Sequence, residues 1–376
     1  MRMNQNLRNC TCLNCQEILG TFSPSSSRLR CPNCGYEFLI FDNKIPILLK
    51  DYRPNLAASY LQHKAVICEN EKLIRQVLDA RARQPERALL LDRVINACRG
   101  NNRYFQSLQA AILRHISESD IDEMEESGSL PKQYTLDEGI AFFHRDWCGA
   151  QRSEAEIATI MDTVLHQVTA FAEDVETVLI PGAGAGRFAC ELAARYDTCF
   201  ALDNALHMAQ IFYDLIEKDL MLSVVNLRSN VRRTEDVVVE HKLSLNPPGS
   251  QRISSQLAEN NLSYFVGDAL NVPLSDRSLS AIICVYFIDI VPVRAHLREI
   301  RRLLKPGGIF VNLGPLRYPR GDVTNMLSGD ELLALFQASG FDILADETVK
   351  NTQLASSSVI TSVVSHNFMF VARKRS

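Results

Sequence analysis

Thr177-Val-Leu-Ile-Pro-Gly-Ala-Gly-Ala-Gly186-Arg187 reads as a strand, a turn and the start of a helix. The apolar and β-branched residues before Pro181 suit a short buried strand, and the pattern 188–196 suits a helix. Three glycines let the turn's backbone come close to a ligand. In a doubly wound sheet such a turn lies at the carboxyl edge, where ligands bind. Working outward, 199–202 is a second strand ending at Asp203, with a helix through Lys218. Strands follow at 262–266 and 279–288, a helix at 292–304, and a strand at 309–313 after Lys305-Pro-Gly-Gly308. A helix around 330–339 precedes two closing strands near 342–349 and 366–372, predicted antiparallel because no helix separates them. Strands joined by helices imply an α/β fold with a mainly parallel sheet covered on both faces. Residues 219–260, which include Asn246-Pro-Pro-Gly249, break this rhythm and read as an insertion.

A glycine-rich turn alone serves dinucleotides and S-adenosylmethionine alike, so the flanking acids decide. Asp203 ends the second strand, placed to accept from both ribose hydroxyls, and Asp268 follows the third, placed to accept from an adenine amino group. A dinucleotide enzyme would leave Asp268 without a task. The layout predicts a class I, Rossmann-like, S-adenosylmethionine-dependent methyltransferase fold. The candidate cofactor residues are Gly182, Ala183, Gly184, Gly186, Asp203, Asn204, Asp268, Ala269 and Val285.

The first 50 residues form a different unit. Cys12-Leu-Asn-Cys15 and Cys31-Pro-Asn-Cys34 are two C-x-x-C pairs at zinc-ribbon spacing, with Ser23-Pro-Ser-Ser-Ser27 as an exposed loop between them. Four thiolates close a tetrahedral shell, so the expected zinc is structural. Cys10 either substitutes for Cys12 or takes no part, and the scattered Cys68, Cys98, Cys148, Cys190, Cys199 and Cys284 read as small buried side chains. Residues 51–130 carry helical periodicity, including Leu73, Ile74, Val77 and Leu78. The acidic run 117–131 reads as an exposed linker or a solvated helix end. The expected division is therefore a zinc-ribbon-like module over 1–50, a helical region over 51–130, and a methyltransferase domain over 131–376.

Several segments resemble the carnosine N-methyltransferase (N2227-like) family, in that family's order and over roughly residues 134–374. They are Phe143-His-Arg-Asp-Trp147, the glycine turn, Tyr286-Phe-Ile-Asp289, Leu303-Leu-Lys-Pro-Gly-Gly308 and Val311-Asn-Leu-Gly-Pro-Leu-Arg-Tyr318. The resemblance implies that Arg145 binds the methionine carboxylate of the cofactor, a role suited to a planar fork of donors. It also implies that Asp289 contacts the methyl-accepting group. Asp203 replaces the family's Glu at the ribose position. On the acceptor side the chain departs from the family. Pro319 replaces a substrate-binding His, Val363-Val-Ser-His366 replaces a tyrosine-rich stretch, and Phe142 replaces a Gln. The expected acceptor is a small molecule or peptide methylated at nitrogen, other than carnosine. Asp289 is the candidate catalytic residue, and Tyr286, Phe287, Tyr318 and His366 are the candidate substrate-binding residues.

Composition sets the limits. The 376 residues are 46% hydrophobic and 22% charged, which suits a packed globular chain. The longest apolar run, Ala281 to Ile288, falls far short of the roughly 20 residues that span a bilayer. The polar N-terminus lacks a signal peptide's apolar core, which predicts a cytoplasmic protein. A net charge of -4 argues against wholesale binding of a polyanion. Residues 1–50, however, carry Arg2, Arg8, Arg28, Arg30, Lys44 and Lys50 against Glu17, Glu37 and Asp42. A zinc ribbon before a methyltransferase core is also similar to the layout of bacterial ribosomal RNA guanine methyltransferases. RNA methylation is therefore the first alternative, and a non-catalytic scaffold the second.

Overall fold

In a computed structural model of the chain, described over residues 7, 9–20, 26–227, 229–246, 253, 261–318, 323–354 and 363–376, the N-terminal segment forms three short strands. They are β1 (Arg28–Arg30), β2 (Glu37–Phe41) and β3 (Ile45–Ile47). Asp42 and Asn43 turn β2 into β3 with φ of 50° and 56°, a region these residue types tolerate. Two long helices follow, α1 (Arg53–Arg83) and α2 (Ala88–Ile112). The acidic run is a helix, α3 (Glu118–Glu126), started by a capping box between Ser117 and Asp120 and docked through the fully buried Ile121. The solvated-helix expectation holds there and the linker expectation does not.

A second capping box, Thr135 with Glu138, starts α4 (Leu136–Trp147), and α5 (Gln151–Phe171) leads into the sheet. The alternation is β4 (Thr177–Pro181), α6 (Arg187–Ala193), β5 (Thr198–Asp203) and α7 (Leu206–Glu217). The segment expected to be an insertion contributes a separate antiparallel hairpin, β6 (Leu220–Val225) and β7 (Val238–Leu243). This hairpin leans on α2, where Asn101 exchanges two hydrogen bonds with the Ser223 backbone, and on α4, where the His144 and His241 rings lie 4.5 Å apart. Then come β8 (Leu262–Val266), β9 (Leu279–Val285), α8 (Val293–Leu303), β10 (Leu304–Gly314), α9 (Gly329–Ala338), β11 (Phe341–Gln353) and β12 (Val363–Lys374). The serine loop expected between the cysteine pairs falls largely outside the described residues, as do Pro319 and residues 247–249.

Ten strands share one sheet in the order β1-β2-β3-β8-β5-β4-β9-β10-β12-β11. From β3 to β10 neighbouring strands run parallel, and the pairings of β12 with β10 and β11 are antiparallel, as expected for the closing strands. The order 3-2-1-4-5-7-6, read on β8, β5, β4, β9, β10, β12 and β11, is that of class I methyltransferases. The three N-terminal strands continue the same sheet, with Ile47 beside Val266. Every residue of β9 is buried, as a central parallel strand requires. One core lies between the sheet and α4, α5, α6 and α7; the other joins α8, α9 and the cysteine-rich segment. No helix among the described residues is long and apolar enough to cross a membrane.

Buried histidines impose a pH dependence on this fold. Burial pulls the His144 and His207 imidazoles down to about 3, His296 to about 4, and His63 well below its ordinary value. These folded values lie below the unfolded one, so the stability the four groups hold above pH ~6.5 is lost as pH falls toward the folded values. At pH 5.5, about one unit below the free imidazole value, each costs roughly 1.4 kcal/mol. The thermal midpoint is expected to fall by several degrees between pH 7.5 and pH 5.5. A flat midpoint over that interval would contradict the burial of these neutral rings.

Candidate functional site

The strand order reverses at β4, which pairs with β5 on one side and β9 on the other. Such a switch point opens a crevice at the carboxyl edge of the sheet. The glycine turn lies there, with φ of 66° at Gly182, 53° at Gly184 and 83° at Gly186. A Cβ on Gly182 would run into the Phe287 ring, and one on Gly186 would lie 2.5 Å from Phe212. Glycine is therefore required at both positions by backbone angle and by space.

The turn is held from several directions. Tyr264 donates its hydroxyl to Gly184 O at 2.9 Å, and the Trp147 indole donates to Ala185 O at 2.8 Å. Gly184 N–H donates to Asp203 Oδ2 at 2.8 Å, Tyr134 donates to the same oxygen at 3.2 Å, and Ala205 N–H donates to Oδ1 at 2.9 Å. Burial pushes the Asp203 carboxyl up, and these donors oppose the shift. Asn204, beside it, is fixed through its carbonyl by Asn55 and Gln133. On β8's side, Asp268 is exposed and its Oδ1 accepts from Leu270 N–H at 2.8 Å, which fixes the turn that ends at Asn271. Ala269 and Val285 are buried against this edge. A turn built only of glycines and alanines, a buried carboxylate on one flank and an exposed one on the other fit the backbone, ribose and adenine of S-adenosylmethionine.

Arg145 is buried on α4. It pairs with Asp146 at 2.6 Å, faces Glu156 at 3.7 Å, and its guanidinium lies 5.5 Å and 5.2 Å from the Phe142 and Phe188 ring centroids. Phe142, the departure from the expected Gln, thus packs against the guanidinium. Arg187 anchors the same corner by donating to Asp146 O and pairing with Glu154 and Glu191.

On the acceptor side, β9 ends at Val285 because Tyr286 adopts φ 55°. Gly314 makes room for it: a Cβ there would lie 3.0 Å from Tyr286 N and Cα. The Tyr286 hydroxyl accepts from Asn351 Nδ2 at 2.9 Å, and Asn367 Nδ2 donates to Asn351 Oδ1 at 2.6 Å. Phe287 turns to the opposite face, edge-on to His296. Asp289 does not cap the following helix, whose N-cap is Pro292; its Oδ2 accepts from Arg317 N–H at 2.8 Å and Tyr318 N–H at 3.4 Å. Burial pushes its carboxyl up. His366 does not join this group. It is exposed on β12 opposite Lys350, and the alternation of strand side chains gives the inward face to Ser365 and Asn367.

The four expected metal ligands do converge. Every Sγ of Cys12, Cys15, Cys31 and Cys34 lies within 4.8 Å of the others, with Cys12 to Cys34 at 3.7 Å and Cys15 to Cys31 at 3.5 Å. A tetrahedral zinc–thiolate shell has S···S edges of about 3.8 Å. The two turns repeat one geometry: Cys12 N–H donates to Glu17 O and Gln16 N–H to Cys12 O, as Cys31 N–H does to Tyr36 O and Gly35 N–H to Cys31 O. Gln16 and Gly35, at matching positions, have φ of 62° and 72°. Hydrogen bonds led by Asn14 pull the Cys34 thiol down to about 6, whereas burial pushes Cys12 up to about 12. Cys10 stays outside, buried in a bridge with Leu274.

Sequence reasoning missed Tyr134, Trp147 as a donor, Tyr264, Asn351 and Asn367. For Asn367 a signal existed, because β12 residues two apart from the buried Met369 share its face.

A family model described as carnosine N-methyltransferase matches residues 124–376. The chain is 27% identical over 335 residues to Drosophila melanogaster carnosine N-methyltransferase unmet, covering 82% of this chain and 67% of that one. It is 30% identical over 206 residues to Rattus norvegicus carnosine N-methyltransferase, covering 50% and 48%. It thus spans about half the length of the rat protein. A solved S-adenosylmethionine-dependent methyltransferase from Methanosarcina mazei superposes with a TM-score of 0.36 at 14% identity, covering 56% of this chain and 97% of that one.

Trp147→Phe keeps the ring and removes its N–H, leaving the Ala185 carbonyl buried without that donor. The change should cost about 1–3 kcal/mol, read as a lower urea midpoint. An unchanged midpoint would show that the indole does not secure the turn.

Proposed function

The chain belongs to the carnosine N-methyltransferase family, and from that premise we propose that it methylates a nitrogen of a small amine- or heterocycle-bearing molecule or peptide other than carnosine. The observation that carries the proposal is the convergence, at one sheet edge, of the glycine turn, Asp203 and Asp268 with Tyr286 and Asp289. S-adenosylmethionine, when bound, supplies an electrophilic sulfonium methyl, so the chain must position an unprotonated nitrogen in line and exclude water. Gly182, Ala183, Gly184 and Gly186 admit the cofactor, Asp203 and Asn204 take its ribose, Asp268 and Ala269 its adenine, and Arg145 its carboxylate.

Asp289 orients the acceptor through a charge-assisted hydrogen bond and steadies positive charge that develops on its nitrogen. Tyr286 and Tyr318 shape the acceptor's place, and Phe287, on the opposite face, packs against Gly182. The buried amides of Asn351 and Asn367 adjoin the Tyr286 hydroxyl on this wall, and His366, in the segment that replaces the family's tyrosines, points away. A site that reads a dipeptide by hydrogen bonds loses roughly 1–3 kcal/mol for each buried group left unpaired, which supports an acceptor other than carnosine. The engaged cations of the N-terminal segment support a small acceptor over RNA: Lys44 pairs with Asp214, and Arg28 lies against Tyr52. The cysteine cluster is read as a structural zinc site, its shell closed by four thiolates.

Asp203→Ala should weaken cofactor binding by about 1.5–3 kcal/mol, measured by calorimetry; full affinity would remove the ribose assignment. Asp289→Ala should leave cofactor binding nearly intact and abolish turnover, whereas Asn retains the acceptor for the Arg317 N–H and some activity. Because burial raises the Asp289 carboxyl and the ionised form is the active one, activity should fall with acid at a pH above the ordinary carboxylate range. In Asp289→Asn the carboxyl's share of that limb should be absent, leaving only the protonation of the acceptor nitrogen. The assay is methyl transfer to carnosine, histidine-containing peptides, amino acids and ribosomal RNA. Efficient methylation of carnosine or RNA would overturn the acceptor reading, and full activity of Asp289→Ala would overturn the role of that residue.

A further inference from the structure

The cysteine module meets the methyltransferase sheet at the segment proposed to hold adenine. Segment 266–274 carries Asp268 and Ala269, and it is bonded to the module near both ends. At one end Leu48 N–H, just after β3, donates to Val266 O at 2.8 Å. At the other, Thr11 N–H donates to Pro273 O at 2.8 Å, and Cys10 bridges to Leu274. Thr11 adjoins the ligand Cys12, and β2 connects the turn holding Cys31 and Cys34 to β3. Ala269, Val272 and Leu274 share one apolar cluster with Cys12, Leu13, Leu29, Cys31 and Phe38. The segment is held elsewhere as well: at its start by β5, where Gly267 N–H donates to Asp203 O at 2.9 Å, and near its end by α8, where Glu299 accepts from Val272 N–H at 2.7 Å and Arg302 donates to Val272 O and Leu274 O.

Both connections run back to the cysteine turns through short elements. The strands β1 and β3 have three residues each, too short to hold their own register. Four thiols crowded within 4.8 Å give the two turns a shared anchor only when a cation joins them. We propose that zinc held by Cys12, Cys15, Cys31 and Cys34 sets the affinity of the cofactor pocket, because the metal fixes the Thr11 and Leu48 contacts that position segment 266–274. The inference rests on the reading of that pocket as the S-adenosylmethionine site. It assigns the module to cofactor binding rather than to gripping a substrate.

The test uses the full chain with S-adenosylhomocysteine as probe. Metal content is measured by elemental analysis, and calorimetric titration compares protein as purified, stripped with a chelator, and resupplied with Zn²⁺ alone. The expected result is one zinc per chain, about tenfold weaker binding after stripping, and recovery on resupply, with circular dichroism unchanged. Hydrogen exchange should rise in 266–274 on stripping and stay constant in 182–186. Coupling is reciprocal, so the homocysteine analogue should strengthen zinc retention against a competing chelator by the same factor. In Leu274→Ala, which trims the shared cluster, stripping should change affinity less than in the parent. A chain without stoichiometric zinc, equal affinity with and without the metal, or global unfolding on stripping would each overturn the proposal. Zinc-loaded protein that fails to bind the analogue at all would instead overturn the pocket reading on which it rests.

Discussion

The hydrogen bond from Gly184 N–H to Asp203 Oδ2, 2.8 Å long, ties together the ends of two neighbouring parallel strands. Backbone N–H groups at a turn can meet a ligand only where no side chain intervenes, and such a turn has little packing of its own to stay in place. The surrounding groups meet that requirement. Asp203 holds the turn from β5, Tyr264 from β8, and Trp147 from α4. Each side chain spends its polar end on the turn and its body on the core. The position of α4, and with it Arg145, is therefore fixed by the same contacts that shape the glycine loop.

Electrostatics at this corner follow from an imbalance. Arg145 and Arg187 are both nearly inaccessible, and Asp146, Glu154, Glu156 and Glu191 surround them. Buried ion pairs add little net stability, because desolvation offsets most of the attraction, but breaking one partner is costly. Their value here is geometric. Arg187 reaches Asp146 O and lies over the Trp147 ring, so the Arg-Asp-Trp segment, the glycine turn and α5 are locked as one block.

The half of the site proposed for the cofactor was legible as a cluster because its parts are contiguous in sequence: glycines directly after a strand, and acids directly after the next two. The acceptor half was not, because it depends on register. His366 and Asn367 are adjacent in the chain, yet strand alternation sends one to solvent and the other to the wall beside Tyr286. Likewise Asp289 is legible in sequence only as an acid that follows a strand, whereas its partners are backbone groups of Arg317 and Tyr318, supplied by a distant segment. The spacing of the four clustered cysteines was fully readable. That its hairpin extends the main sheet was not, since the joint consists of a one-pair register at Ile47 and Val266 and no local pattern announces such a short pairing.

That joint also has a consequence for the order in which the chain assembles. Leu48 leaves the ribosome roughly 220 residues before its partner Val266, a separation that makes the contact slow to close. The two cysteine turns, by contrast, close over a few residues each and can be finished early. Until it is covered, β8 presents an open edge, a template for pairing with another chain. The N-terminal hairpin is thus a cap that waits for its sheet, and its arrival closes the end of that edge at Val266.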